Sequence, residues 1–144
     1  MLQLKNLKFI IYFSRIALAA TFLSVVADRF GFWGNAGELG VSWGNMNKFF
    51  LHVSLLAPWA PAAFIPVLGW VVNILEFVLG IALLLGIKPK MTALATAGLF
   101  LIFAISMAAF QSVKLMLNFS VLPCSACAAL LYFLGEIKSK TDVP

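Results

Sequence analysis

The chain has 144 residues, 63% of them apolar and only 10% charged, where soluble domains run nearer half apolar and a quarter charged. A soluble fold of this length still exposes roughly 30% of the surface of its unfolded chain, and ten Lys/Arg with five Asp/Glu are too few to coat it. That excludes an ordinary cytosolic enzyme, a disordered chain and, with two cysteines, a disulfide-dense secreted module. The net charge of +5 is scattered between apolar runs instead of grouped on a face, so nucleic acid is not an expected partner. The lipid bilayer is.

Four runs, about residues 9–28, 62–87, 91–110 and 119–136, are long enough to cross a hydrocarbon layer of about 30 Å as helices. Lipid offers no partner for free backbone N–H and C=O groups, so helix is the form such runs must take. The first is interrupted by Arg15 and the second by Glu76; the third carries no charge. Asn118 and Ser120 mark the start of the fourth as capping residues. The first run has a basic leader, Lys5 and Lys8, and Val25-Val26-Ala27 resembles a cleavage site. A charge at Arg15 inside a long core argues against a cleaved signal.

Between the first two runs, Gly31 to Gly44 reads as an irregular loop. Met46, Phe49, Phe50, Val53 and Leu56 then recur at helical spacing, with Asn47, Lys48, His52 and Ser54 among them. Asn45 is placed to cap this helix and Pro58 to end it. An amphipathic helix over about 45–57, lying on the outer interface, is expected, with Trp33, Trp43 and Trp59 in the aromatic belt at that level. Lys88-Pro89-Lys90 forces a tight turn between the second and third runs. Basic residues collect in short cytoplasmic loops. With both termini inside, the inner face gathers Lys5, Lys8, Arg15, Lys88, Lys90, Lys138 and Lys140 and leaves Arg29, Lys48 and Lys114 outside. The expected fold class is all-α: one polytopic domain over residues 1–144, a bundle of four transmembrane helices with a short interfacial helix in the first outer loop.

The chain resembles the DoxX/DoxX-like family of small four-span membrane proteins. The resemblance rests on Arg15-Ile-Ala-Leu-Ala-Ala, Ala27-Asp28-Arg29-Phe30-Gly31-Phe32-Trp33-Gly34 and Val41-Ser42-Trp43-Gly44. It continues in Glu76-Phe77-Val78-Leu79-Gly80, Leu83-Leu84-Leu85-Gly86, Lys114 and Phe119-Ser120-Val121. It implies a four-helix membrane bundle, and an association with quinone-linked thiosulfate oxidation or a partner membrane oxidoreductase. The resemblance supplies no catalytic residue, and Cys124 and Cys127 depart from the family's small residues. The expected location is the bacterial cytoplasmic membrane.

An ionisable group inside a span costs about 2.5–3.5 kcal/mol on insertion scales, so Arg15 and Glu76 require an account. An ion pair between them is opposed by geometry. Side chains lean toward the N-terminus of their own helix, so Arg15 leans inward and Glu76 outward. Arg15 is expected to snorkel to the inner interface, with a direct pair or an anionic ligand as alternatives. Glu76 is either a protonated acid serving packing or the centre of a site. Asn73 lies three residues earlier on its face, and Ser106 and the cysteines fall at similar depth. A polar pocket opening outward, with Glu76, Asn73, Ser106 and Arg15 as candidate ligand-binding residues, would suit a lipid-soluble ligand or a quinone head.

Cys124-Ser125-Ala126-Cys127 has thiol–disulfide spacing near a helix start, which makes Cys124, Cys127 and Glu76 the candidate catalytic residues of any enzyme. Against this, the chain has no second cysteine pair to relay electrons, and Cys is a routine small hydrophobe. His52 is expected on the polar face of its helix. Asp28-Arg29 is expected to anchor the first span and tie down the loop, or to gate the pocket. No metal-ligand spacing is present. The leading reading is an auxiliary or ligand-binding subunit linked to membrane redox metabolism. A thiol/quinone oxidoreductase and a small transporter or channel using Glu76 are the alternatives. The oligomeric state is open.

Overall fold

A computed structural model describes residues 2–141, with side chains from 7 to 135. Every regular element among the described residues is helical: α1 (Leu2–Arg29), α2 (Met46–Leu56), a 3-10 turn (Ala62–Phe64), α3 (Ile65–Leu85), α4 (Pro89–Phe110), α5 (Val113–Asn118) and α6 (Val121–Thr141). The segments Leu7–Arg29, Ala62–Leu85 and Pro89–Phe110 are long and apolar enough to cross a membrane, while α6 is apolar over the shorter stretch Val121–Gly135. The side chains of Lys5, Lys138 and Lys140, counted above for orientation, lie outside the described residues.

Each boundary has a local cause. Asn45 caps α2, its Oδ1 accepting from Lys48 N–H at 3.0 Å, and Ala57 closes the helix one residue before Pro58. α3 ends at Gly86, which sits at φ 71. This left-handed position lets Ile87 N–H reach the Ala82 carbonyl at 3.0 Å, the bond pattern of a Schellman stop. The turn is Gly86–Lys88, and Pro89 opens α4 at a helix position where its missing N–H costs nothing. Thr92 Oγ1 fastens the turn by donating to the Ile87 carbonyl at 2.6 Å.

The run expected to form one helix from about residue 119 is instead preceded by a separate short helix. Ser112 caps α5 by accepting from Leu115 N–H at 3.1 Å, and Ser120, at φ 56, breaks the chain direction before α6 begins. Ser120 contributes its carbonyl to that start, accepting from Cys124 N–H at 3.0 Å.

α4 packs most extensively on α6 and α1 on α3; smaller α1–α6 and α3–α4 contacts close the ring. One core joins all four: Leu18 and Phe22 of α1, Leu83 of α3, Phe100 and Met107 of α4, and Ala128 and Leu131 of α6. Phe22 and Phe100 stack across its centre with centroids 4.5 Å apart. α1 and α3 come close at Gly80, where a Cβ would stand 2.9 Å from Leu23. The outward faces are apolar too: Ile16, Val67, Ile74, Ile102 and Leu130 are each more than half exposed. Exposure on that scale suits contact with lipid. α2 lies against α3 and the end of α4, burying Phe49 and Val53.

Candidate functional site

The functional geometry is concentrated at the end of the bundle covered by α2. Arg29, the last residue of α1, turns inward and is 3% exposed. Its Nη1 pairs with Glu76 Oε2 on α3 and donates to Asn73 Oδ1 at 3.1 Å. Asn73 and Glu76 stand three residues apart on one helix face, the spacing that lets both reach a single guanidinium. The flat face of Arg29 meets Phe49 of α2, 3.5 Å from the ring centroid, and Trp43 of the loop at 5.0 Å. These two rings meet edge to face. A guanidinium accepts this arrangement because its charge is delocalised and its faces are weakly hydrated.

Asp28, the preceding residue, is also buried and accepts from Trp43 N–H at 2.8 Å. Adjacent residues therefore divide the work. Asp28 ties the loop to α1, as expected of it, and that tie brings the Trp43 ring over Arg29.

Arg15 is not the partner of Glu76. It reaches the far end of α3, donating from Nε to the Leu83 carbonyl at 2.8 Å and from Nη2 to the Leu84 carbonyl at 3.1 Å. The opposed lean of Arg15 and Glu76 explains their separation. Applied to Arg29, the same rule brings two groups together: Arg29 at the C-terminal end of α1 leans back into the bundle while Glu76 leans toward the start of α3. The matching depth was available in the sequence, but an arginine at a span end reads first as an interface anchor, and the rotation that faces α1 to α3 was not.

A cavity of about 260 Å³ opens beside the pair. Its walls are mainly apolar, with Phe22, Val25, Leu56 and Phe103 among them, and its polar groups are Arg29, Glu76, His52, Ser106 and Thr21. Ser106 and Glu76 thus meet the same space, as depth alone had suggested; Asn73 serves it indirectly through Arg29. His52 departs from its expected place on the polar face. It is half-buried, its ring 5.5 Å from Trp43. Burial, and secondly the charge of Arg29, hold its pKa below the ordinary value of 6.5. It is neutral near pH 7, able to donate from one ring nitrogen and accept at the other. Trp43 also departs from the expected aromatic belt, being half-buried over Arg29.

The cysteines do not join this site. Cys124 and Cys127 are free and half-buried, packed against the central core and absent from the cavity wall. Between them Ser125 donates to the Ala97 carbonyl of α4 at 2.9 Å, fixing that part of α6 against α4. Among the described residues, no cluster of three or more His, Cys, Asp or Glu side chains is arranged to hold a metal ion.

Comparison with protein-family models, with curated proteins and with solved structures gives no match. The fold and site by themselves define an all-helical protein with three membrane-length apolar helices, and a mostly apolar cavity headed by a buried arginine–glutamate pair.

Proposed function

We propose that the chain is a DoxX-like integral membrane protein of four spans, with both termini cytoplasmic in a bacterial membrane and α2 on the outer interface. In this reading it binds the polar head of a lipid-soluble ligand, of which a quinone is the leading case, as an auxiliary subunit of membrane redox metabolism. The observation that carries the reading is the cavity: apolar walls with Arg29, Glu76, His52 and Ser106 converging at one place. Apolar enclosure with a few convergent polar groups is the usual form of a small-molecule site. Its 260 Å³ falls just under the range of about 300–1,000 Å³ for whole drug-sized ligands, so it fits a head group whose tail passes out between helices. A thiol–quinone relay draws no support from cysteines that lie off the cavity.

The test is titration of detergent-purified protein with a short-tailed quinone, read by tryptophan quenching, with Trp43 on the cavity wall. Saturable quenching is expected. Glu76→Gln should weaken it about tenfold or more, the value of a hydrogen bond to a charged group, and Val72→Phe should abolish it by filling the space. Quenching that never saturates, or that Val72→Phe leaves intact, overturns the reading.

A further inference from the structure

The opposite end of the bundle holds a second cavity, of about 230 Å³, between α1, α3, α4 and α6. Its character differs from the first. Lys8, Tyr12, Arg15 and Thr92 face it beside Ile11 and Leu131, and no acidic side chain among the described residues lines it. Glu136, the residue after Gly135 on its wall, lies outside the described side chains. Arg15 is held in place by the Leu83 and Leu84 carbonyls and by Tyr12, 5.6 Å from its guanidinium carbon. Among the described residues its Nη1, and the second hydrogen of Nη2, have no partner. Lys90 runs its stem over Gly135 at the edge of the cavity, where a Cβ would stand 3.2 Å from Lys90 Cγ. An arginine fixed by carbonyls, with Lys8 on the same wall and the Lys90 stem against Gly135, makes a cationic recess at this end of the helix bundle.

We infer that this recess binds the phosphate of an anionic phospholipid headgroup. Arg15 supplies the fixed donor edge, Lys8 and Lys90 the flanking charge, and Ile11 and Leu131 the contact with the first acyl methylenes. Basic pockets between helix ends at the cytoplasmic face select anionic headgroups, and each nearby lysine contributes about fivefold in affinity. Thr92 is engaged with the Ile87 carbonyl and leaves the anion to the three basic groups. The inference requires a bilayer around the chain but is independent of whether the first cavity holds a ligand.

The experiment uses delipidated full-length protein in a neutral detergent. Melting temperature is followed against added phosphatidylglycerol, phosphatidylcholine or inorganic phosphate. Phosphatidylglycerol is expected to stabilise saturably at concentrations where phosphatidylcholine does not. Lys8→Ala/Lys90→Gln should raise its midpoint concentration about twentyfold. Lys8→Ala alone, at an exposed side chain, should raise it about fivefold in a protein whose fold is undisturbed. Lys114→Ala removes a charge from the other end of the molecule and should change nothing. Equal stabilisation by both lipids, an unmoved midpoint in Lys8→Ala, or an equal loss in Lys114→Ala overturns the inference. Stabilisation by inorganic phosphate at the same concentrations overturns the lipid assignment in favour of a soluble anion.

Discussion

Arg29 and Glu76 are costly to bury singly and tolerable only together. Removing one member of a buried pair leaves the other charge uncompensated, typically at about 3–5 kcal/mol, while replacing both by apolar groups is often neutral. Glu76→Leu should therefore destabilise strongly, because Arg29 keeps only Asn73 and two ring faces. Arg29→Leu/Glu76→Leu should recover most of that loss. Thermal melting in detergent checks both, and a double variant no better than the single would show that the aromatic contacts of Arg29, not the pair, hold this end together.

His52 supplies the pH dependence of the same site. Its folded pKa lies below 6.5, so between the folded pKa and 6.5 the unfolded chain binds the proton more readily. Stability should be unaffected by this group above pH 6.5, fall as pH drops through 6.5, and level off below the folded pKa. His52→Gln should flatten that part of the profile. A melting curve with the same acid dependence in both proteins would assign the effect elsewhere.

At the scale of elements, Gly86 does two jobs that no other residue can do together. Its φ of 71 stops α3, and its missing Cβ admits Arg15, whose Nη2 would stand 2.5 Å from a methyl there. Gly86→Ala should cost about 1–3 kcal/mol in backbone strain and displace Arg15 from the Leu83 and Leu84 carbonyls. Gly98, with open space at its Cβ position, is the comparison: Gly98→Ala should be neutral or slightly stabilising because alanine is the better helix former. Melting temperatures of the two variants measure the difference.

Much of this level was legible in the sequence, because the causes are local. Asn45, Pro58 and Pro89 punctuate helices whichever neighbours they have, and apolar runs of some twenty residues define their own class, whereas the stop at Gly86 falls just short of the expected end at 87. The extra helix α5 escaped because it fills the short connection between the third and fourth runs, where Ser112 caps only six residues. The site was legible only in depth. Glu76 and Ser106 could be placed at one level, but the pairing of Arg29 with Glu76 depends on the rotation of α1 against α3. The inward position of Trp43 and His52 depends on a loop tied down by Asp28. Neither relation is written in the spacing of residues along one helix.

The whole molecule is electrically lopsided. Lys8, Arg15, Lys88 and Lys90 stand at the end where α3 turns into α4, whereas the α2 end carries Lys48 and Lys114 outside its enclosed Arg29. The proposed topology rests on this difference, since basic residues in short loops are retained on the cytoplasmic side. Under that proposal the cavity beside Arg29 and Glu76 lies in the outer half and the cationic recess at the inner leaflet. Impermeant maleimide labelling of intact cells tests the arrangement in a Cys124→Ala/Cys127→Ala background. Lys48→Cys, exposed on α2, should label in intact cells, and Lys88→Cys, exposed in the turn, only after permeabilisation. Labelling of Lys88→Cys in intact cells with Lys48→Cys protected would overturn the proposed topology and place the cationic recess at the outer leaflet.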